Sequence, residues 1–188
     1  MGKSLINVVT SQMGANPQQA QSALGAAMPM ILGALTKNAS SPDGAKGILD
    51  AIMNKHDGSI LDNLEDNITK EEVIEDGGGI LGHIFGEKTE HVAGAVSKSS
   101  GLDMSSAMNM MKMLAPVVMG YLGRQTRQSN ISNPTDLSGI LSGMLGGHAQ
   151  AQQHQSMIEK LIDQDGDGSI IDDIAGFGMK YLGGMFRK

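Results

Sequence analysis

Short apolar blocks, separated by glycine, proline and residues that favour helix N-termini, divide the chain into segments of helix length. The pattern predicts a first helix over about 4–12 and a similar helix over about 90–99. A glycine follows each of them, Gly14 and Gly101, in the position where glycine commonly ends a helix. The spacing therefore predicts two short helices with the same kind of C-terminus.

Two long helices are predicted next, one behind Asn16 and one behind Asp103, because these side chains suit the N-cap position. Each long segment contains a proline, Pro29 or Pro116, and we expect it to kink or break there. The next two helices open at a capping residue followed by proline, Ser41-Pro42 and Asn133-Pro134. Two further segments open at Ser-x-x-Asp, which predicts capping boxes at Ser59 with Asp62 and at Ser169 with Asp172.

The same order of signals occurs twice, which predicts a diverged tandem duplication. One offset aligns the following residues of the two halves: Gly14 with Gly101, Pro29 with Pro116, Gly33 with Gly120, and Leu35 with Leu122. Three later blocks follow in the same order: 47–49 with 139–141, 57–64 with 167–174, and 81–85 with 182–186. Four aligned blocks in one order are hard to obtain by chance.

These features predict an all-α protein, a compact bundle of short helices arranged as two related repeats. The first helical repeat covers 1–75 and the second covers 90–188, including an acidic loop over 163–173. Between them, 76–89 is predicted to be a connector with a hinge-like break at its three consecutive glycines, Gly77-Gly78-Gly79.

Composition agrees with helices, since the chain has 15 Met and only 3% aromatic residues. The net charge is −6 and the basic residues are scattered, which argues against nucleic-acid binding. There is no Cys, which suits a cytoplasmic location. The longest mostly apolar stretch, 23–36, is shorter than the roughly 20 residues of a spanning helix.

Three segments carry a resemblance to a known family: 76–86 with its Gly-Gly-Gly-Ile-Leu-Gly-His-Ile-Phe-Gly run, 100–102, and 114–120. They resemble the bacterial domain-of-unknown-function family that includes YidB-like proteins, over about 1–145. The acidic segment near the C-terminus resembles an acidic repeat at the end of some members. The resemblance implies a helical bundle in a bacterial protein, and it brings no activity with it.

The acidic loop is the sharpest chemical feature of the sequence. Asp163, Asp165 and Asp167 occupy positions 1, 3 and 5 of the EF-hand pattern, where alternate carboxylates converge on one ion. Gly168 follows at the turn, and Ser169 would offer its backbone carbonyl. This spacing predicts a site for Ca²⁺, which prefers six to eight oxygen ligands.

The pattern departs from an EF-hand at position 12, where Ile174 replaces the bidentate glutamate. Asp173 is the preferred closing ligand, because Asp172 belongs to the predicted capping box. Alternatives are Mg²⁺ or another ion, or a turn and helix cap without metal. The first repeat keeps Asp57-Gly58-Ser59-Ile60 but lacks the upstream carboxylates, so it is not expected to bind metal.

No nucleophile motif, phosphate loop or zinc helix occurs in the sequence, and an enzyme is the less favoured interpretation. The methionines of 104–113 are predicted to be core, with an adaptable partner surface as the alternative. We predict a non-enzymatic bundle that forms a homo-oligomer or binds a protein partner. The alternatives are membrane-surface binding by 174–188, or a hydrolase that pairs His83 or His91 with Asp76.

Overall fold

The computed structural model describes residues 2–129, 131 and 133–146. The helices are α1 (Gly2–Met13), α2 (Pro17–Ala39), α3 (Pro42–Asn54), α4 (Leu64–Asn67), α5 (Glu71–Phe85), α6 (Thr89–Ser100), α7 (Met104–Gln128) and α8 (Pro134–Gly146). Two single 3-10 turns lie at Ser59–Leu61 and Gly86–Lys88. Every regular element within these residues is helical, which confirms the predicted all-α bundle.

Capping residues begin the helices where the sequence predicts. The Asn16 side chain accepts a 2.9 Å hydrogen bond from the Gln19 backbone amide, and the Asn16 backbone amide donates a 3.1 Å hydrogen bond to Oε1 of Gln19. Asp103 accepts a 3.0 Å hydrogen bond from the Ser106 amide at the start of α7. Gly14 and Gly101 follow α1 and α6 with φ of 60° and 73°, a conformation that glycine adopts without strain.

Neither long helix breaks at its proline, because α2 continues through Pro29 and α7 continues through Pro116. A proline inside a helix costs about 3 kcal/mol. Burial of apolar side chains beyond each proline, such as Ile31 in α2 and Val117 in α7, offsets that cost. The long helices are therefore set by burial rather than by local propensity.

The hinge-like break predicted at Gly77-Gly78-Gly79 is wrong, because α5 runs through all three glycines without interruption. Gly77 is buried, and a Cβ atom there would collide with the backbone carbonyl of Lys112 in α7. The glycine allows two helix backbones to approach closely, which a larger residue would prevent. Residues of 76–85 are thus a packed helix, and the division into repeats over 1–75 and 90–188 stays a prediction.

Helix α7 supplies much of the core and packs against α1, α2, α3, α5 and α6 within the compact unit Met1–Leu145. Met110, Met111 and Met113 are buried, which confirms the core interpretation of this methionine stretch. Met104 differs, since 42% of it is exposed. Both predicted repeats contribute side chains to this one hydrophobic core.

Candidate functional site

The turn after α3, Asp57-Gly58-Ser59-Ile60, is the first-repeat counterpart of the predicted calcium loop. Asp57 accepts a 2.9 Å hydrogen bond from the Ser59 amide, and Gly58 has a φ of 96°. The Ser59 side chain and amide, and to a smaller extent Arg127, hold the pKa of the Asp57 carboxyl below its ordinary value. The turn is therefore built from local side-chain and backbone geometry.

Two glycines of α7 make room for this turn. A Cβ atom at Gly123 would collide with the backbone carbonyl of His56. At Gly120 it would lie 2.5 Å from Cγ2 of Ile60. Both glycines are buried, so the turn rests directly on the backbone of α7.

Two arginines of α7 hold the turn in place. Nη2 of Arg124 donates to the Gly58 carbonyl at 2.8 Å and to Oδ1 of Asp62 at 2.6 Å. Nη1 of Arg127 lies 3.6 Å from Oδ2 of Asp57. The two carboxylates of the turn, Asp57 and Asp62, thus each face a guanidinium group.

The predicted capping box between Ser59 and Asp62 is wrong. The residue before the 3-10 turn is Gly58, and no side chain caps this turn. Asp62 ends the turn and binds Arg124 instead. Local sequence spacing does not reveal this partner, because Arg124 lies 62 residues further along the chain.

A histidine beside the turn faces a carboxylate of α5. His56 is only 8% exposed, and its Nε2 lies 3.4 Å from Oδ2 of Asp76. Burial lowers the pKa of His56 below its ordinary value, and Asp76 opposes this effect by a smaller amount. Nζ of Lys55 lies 3.9 Å from Oδ1 of the same carboxylate. The imidazole is accordingly neutral at pH 7.

The hydrolase alternative named His83 or His91 as a partner for Asp76, whereas the structure places His56 beside that carboxylate. His83 and His91 are both exposed. His56 precedes the turn, but its partner lies on α5, 20 residues along the chain and beyond any local motif. The one sequence signal that could have pointed to His56 is its position directly before Asp57-Gly58.

An open cleft of about 500 Å³ lies beside this pair. Its polar lining includes Lys55, His56, Ser59, Lys70, Glu72 and Asp76. A neutral imidazole in such a cleft can accept a proton. Within the part of the chain that the structure describes, no group of three or more His, Asp or Glu side chains is arranged to hold a metal.

The predicted calcium ligands, Asp163, Asp165, Asp167, Ser169 and Asp173, lie outside the described residues. The predicted membrane-surface segment 174–188 also lies outside them. Among the helices that are described, none is long and apolar enough to cross a membrane.

The described residues form an all-α bundle, and two arginines of α7 hold the turn after α3. A family model described as a bacterial protein of unknown function, DUF937, matches residues 1–125. The match covers more than half of the chain, which therefore belongs to this family. No curated protein and no solved structure matches the chain. The narrower similarity to YidB-like members stays a prediction.

Proposed function

We propose that this protein is a non-enzymatic helical module that associates with itself or with a partner protein, and that its C-terminal loop holds a structural Ca²⁺. The proposed ligands are the carboxylates of Asp163, Asp165, Asp167 and Asp173 and the carbonyl of Ser169.

Charge compensation in the first repeat carries this proposal. There the two carboxylates of the turn, Asp57 and Asp62, are paired with two arginines of α7. The second copy has the matching Asp167 and Asp172 and adds three further carboxylates, Asp163, Asp165 and Asp173. Carboxylates this close repel one another unless a cation lies between them, and Ca²⁺ accepts such an oxygen-rich set.

Solvent access at the matching positions supports the same conclusion. Asp163 and Asp165 correspond to Met53 and Lys55 in the first repeat. Met53 is 52% exposed and the Lys55 side chain is 73% exposed. Positions with this exposure are open to an ion from solution.

Thermal unfolding of the full chain in saturating Ca²⁺ and in EDTA tests the metal proposal. A ligand that binds only the folded state at 100 times its Kd stabilises it by about 2.7 kcal/mol, so a Tm rise of several degrees is expected. The double variant Asp163→Asn/Asp165→Asn should lose the rise, whereas the control Asp43→Asn on α3 should keep it. Equal midpoints for the unmodified chain would sink the metal proposal.

Light scattering tests the association proposal separately. If the protein associates with itself, we expect the purified protein to have a molar mass of at least two chains. If it binds a partner protein, we expect the mixture with that partner to have a molar mass above that of one chain. A strict monomer at all concentrations, without any partner bound, would contradict association and leave the calcium result unaffected.

A hydrolase is the second candidate, and the His56–Asp76 pair beside Ser59 in the cleft is the observation that favours it. A neutral histidine is suited to act as a general base. A screen of ester and peptide substrates should then show turnover that His56→Asn abolishes and His83→Asn preserves. Turnover that is the same in both variants would remove this candidate.

A further inference from the structure

The cleft beside the turn has two polar side chains in its wall that no described residue satisfies with a hydrogen bond. They are His56, which is 8% exposed, and Asp76, whose side chain is 30% exposed. Nε2 of His56 lies 3.4 Å from Oδ2 of Asp76, which is longer than the roughly 2.7–3.2 Å of an N–H···O hydrogen bond. Buried polar groups normally have such partners, so these two side chains are available to a group that enters the cleft.

Both side chains offer hydrogen-bond acceptors. Burial lowers the pKa of His56, so its imidazole is neutral, and with the proton on Nδ1 its Nε2 is an acceptor. Oδ2 of Asp76 is the second acceptor, 3.4 Å away. A single donor nitrogen at about 2.8 Å from each atom bridges such a pair. A primary ammonium group meets this need, because it carries three N–H donors and the positive charge that a carboxylate attracts.

An ammonium group of the chain itself already approaches this carboxylate. Nζ of Lys55 lies 3.9 Å from Oδ1 of Asp76, too far for a hydrogen bond, and the Lys55 side chain is 73% exposed. An ion pair with this exposure contributes little free energy. A ligand ammonium that makes two hydrogen bonds can therefore displace Lys55 at small cost.

The cleft also has an apolar wall beside these acceptors. Ile60, Val73 and Pro116 line it, with Pro116 buried and the other two half-buried. The cleft volume of about 500 Å³ lies in the range of small-molecule sites. A short alkyl chain can therefore cover apolar surface while its ammonium group reaches the two acceptors.

We propose that this cleft binds the ammonium group of a primary alkylamine. One N–H of the ammonium donates to Oδ2 of Asp76 and a second donates to Nε2 of His56, while the alkyl chain lies against the apolar wall. The ammonium of Lys55 moves aside into solvent. This binding requires neither Ca²⁺ nor catalysis, so it stands apart from the calcium, association and hydrolase proposals.

NMR titration of pentylamine into the ¹⁵N-labelled full chain, at pH 7 in EDTA, tests the proposal. We expect saturable shifts of backbone amides in 55–60 and 72–76, with a Kd on the order of 1 mM because the ligand is small. The matched probe is pentyltrimethylammonium, which has the same charge and chain but no N–H donor. It should bind at least about tenfold more weakly. Equal affinities, or no shifts in either range with pentylamine, would overturn the proposal.

Three variants of the full chain locate the ammonium. Asp76→Asn removes the charged acceptor and should weaken pentylamine binding by at least about tenfold. Glu65→Gln removes the same charge from an exposed position on α4 and should leave the Kd unchanged. Lys55→Gln, at an exposed side chain, keeps the fold and should tighten binding by about threefold, because it removes the competing ammonium. Equal effects of Asp76→Asn and Glu65→Gln, or weaker binding in Lys55→Gln, would contradict the site.

A peptide probe distinguishes the two sources of a primary ammonium group. Acetyl-Gly-Lys-Gly-amide presents the lysine side chain of a protein, whereas pentylamine presents a free amine. Binding of the peptide at least about tenfold more tightly assigns the cleft to a protein lysine. Equal or weaker binding of the peptide assigns it to a free small amine. Absence of binding by both probes would overturn the proposal.

Discussion

Nη2 of Arg124 lies 2.6 Å from Oδ1 of Asp62, and this contact joins residues that are 62 positions apart in the chain. The same nitrogen also donates a hydrogen bond to the Gly58 carbonyl. One guanidinium group therefore binds both the turn, at Gly58, and the residue Asp62 that follows it. This tertiary contact adds to the local hydrogen bond between the Ser59 amide and Asp57 in holding the turn.

Loss of this guanidinium should weaken the fold. We expect Arg124→Ala to lower the free energy of unfolding by about 1 to 2 kcal/mol, because it removes a charge-assisted bond to a partly buried carbonyl together with an exposed ion pair. Arg127→Ala removes a longer and more exposed pair and should cost less than about 0.5 kcal/mol. Urea denaturation measures both, and equal costs would contradict the special role of Arg124.

Glycine in α5 should matter only where α7 approaches. Gly77→Ala places a methyl group against the Lys112 carbonyl, so we expect a loss of about 1 to 3 kcal/mol as the helices separate. Gly79→Ala in the same helix meets no described atom within 4 Å and should stabilise by up to about 1 kcal/mol. Urea denaturation should show opposite signs, and a tolerated Gly77→Ala would show that the helices do not touch there.

Acid should weaken the junction around His56. Because burial lowers its pKa in the folded state, the unfolded chain binds a proton more readily. The corresponding stability is complete above pH 6.5 and declines as the pH falls through the lowered folded-state pKa. Denaturation between pH 7 and 5 should show a steeper loss for the natural chain than for His56→Asn. The control His83→Asn should behave like the natural chain, and parallel curves for all three would refute the burial effect.

The N-cap of α2 offers a test of the local signals. Asn16→Ala removes the side-chain acceptor for the Gln19 amide and should lower stability by about 1 kcal/mol. Asn16→Asp keeps an acceptor oxygen and should retain most of that stability. Thermal unfolding distinguishes the two, and equal losses would mean that the cap contributes nothing.

Local signals in the sequence predict the helix boundaries well, because a cap such as Asn16 or a terminal Gly14 acts within one turn of chain. They fail for residues whose contacts are made with a helix that is distant in the sequence. The sequence predicts that Asp62 caps a helix, but in the structure Asp62 binds Arg124. The sequence predicts a hinge at Gly77, but in the structure Gly77 packs against α7. Both partners lie on α7.

The same limit applies to the candidate site. The internal repeat in the sequence points to Asp57-Gly58-Ser59-Ile60, but not to the two arginines of α7 that hold this turn. The pairing of His56 with Asp76 depends on how α5 packs beside the turn, which no spacing of residues encodes.

Isothermal titration of Ca²⁺ into the metal-free full-length chain tests the central proposal most directly. We predict one bound Ca²⁺ per chain, whose binding heat disappears in Asp163→Asn/Asp165→Asn and survives in Asp57→Asn, the matching turn of the first repeat. A titration without binding heat at several temperatures, accompanied by no change in Tm, would contradict a calcium site in 163–173.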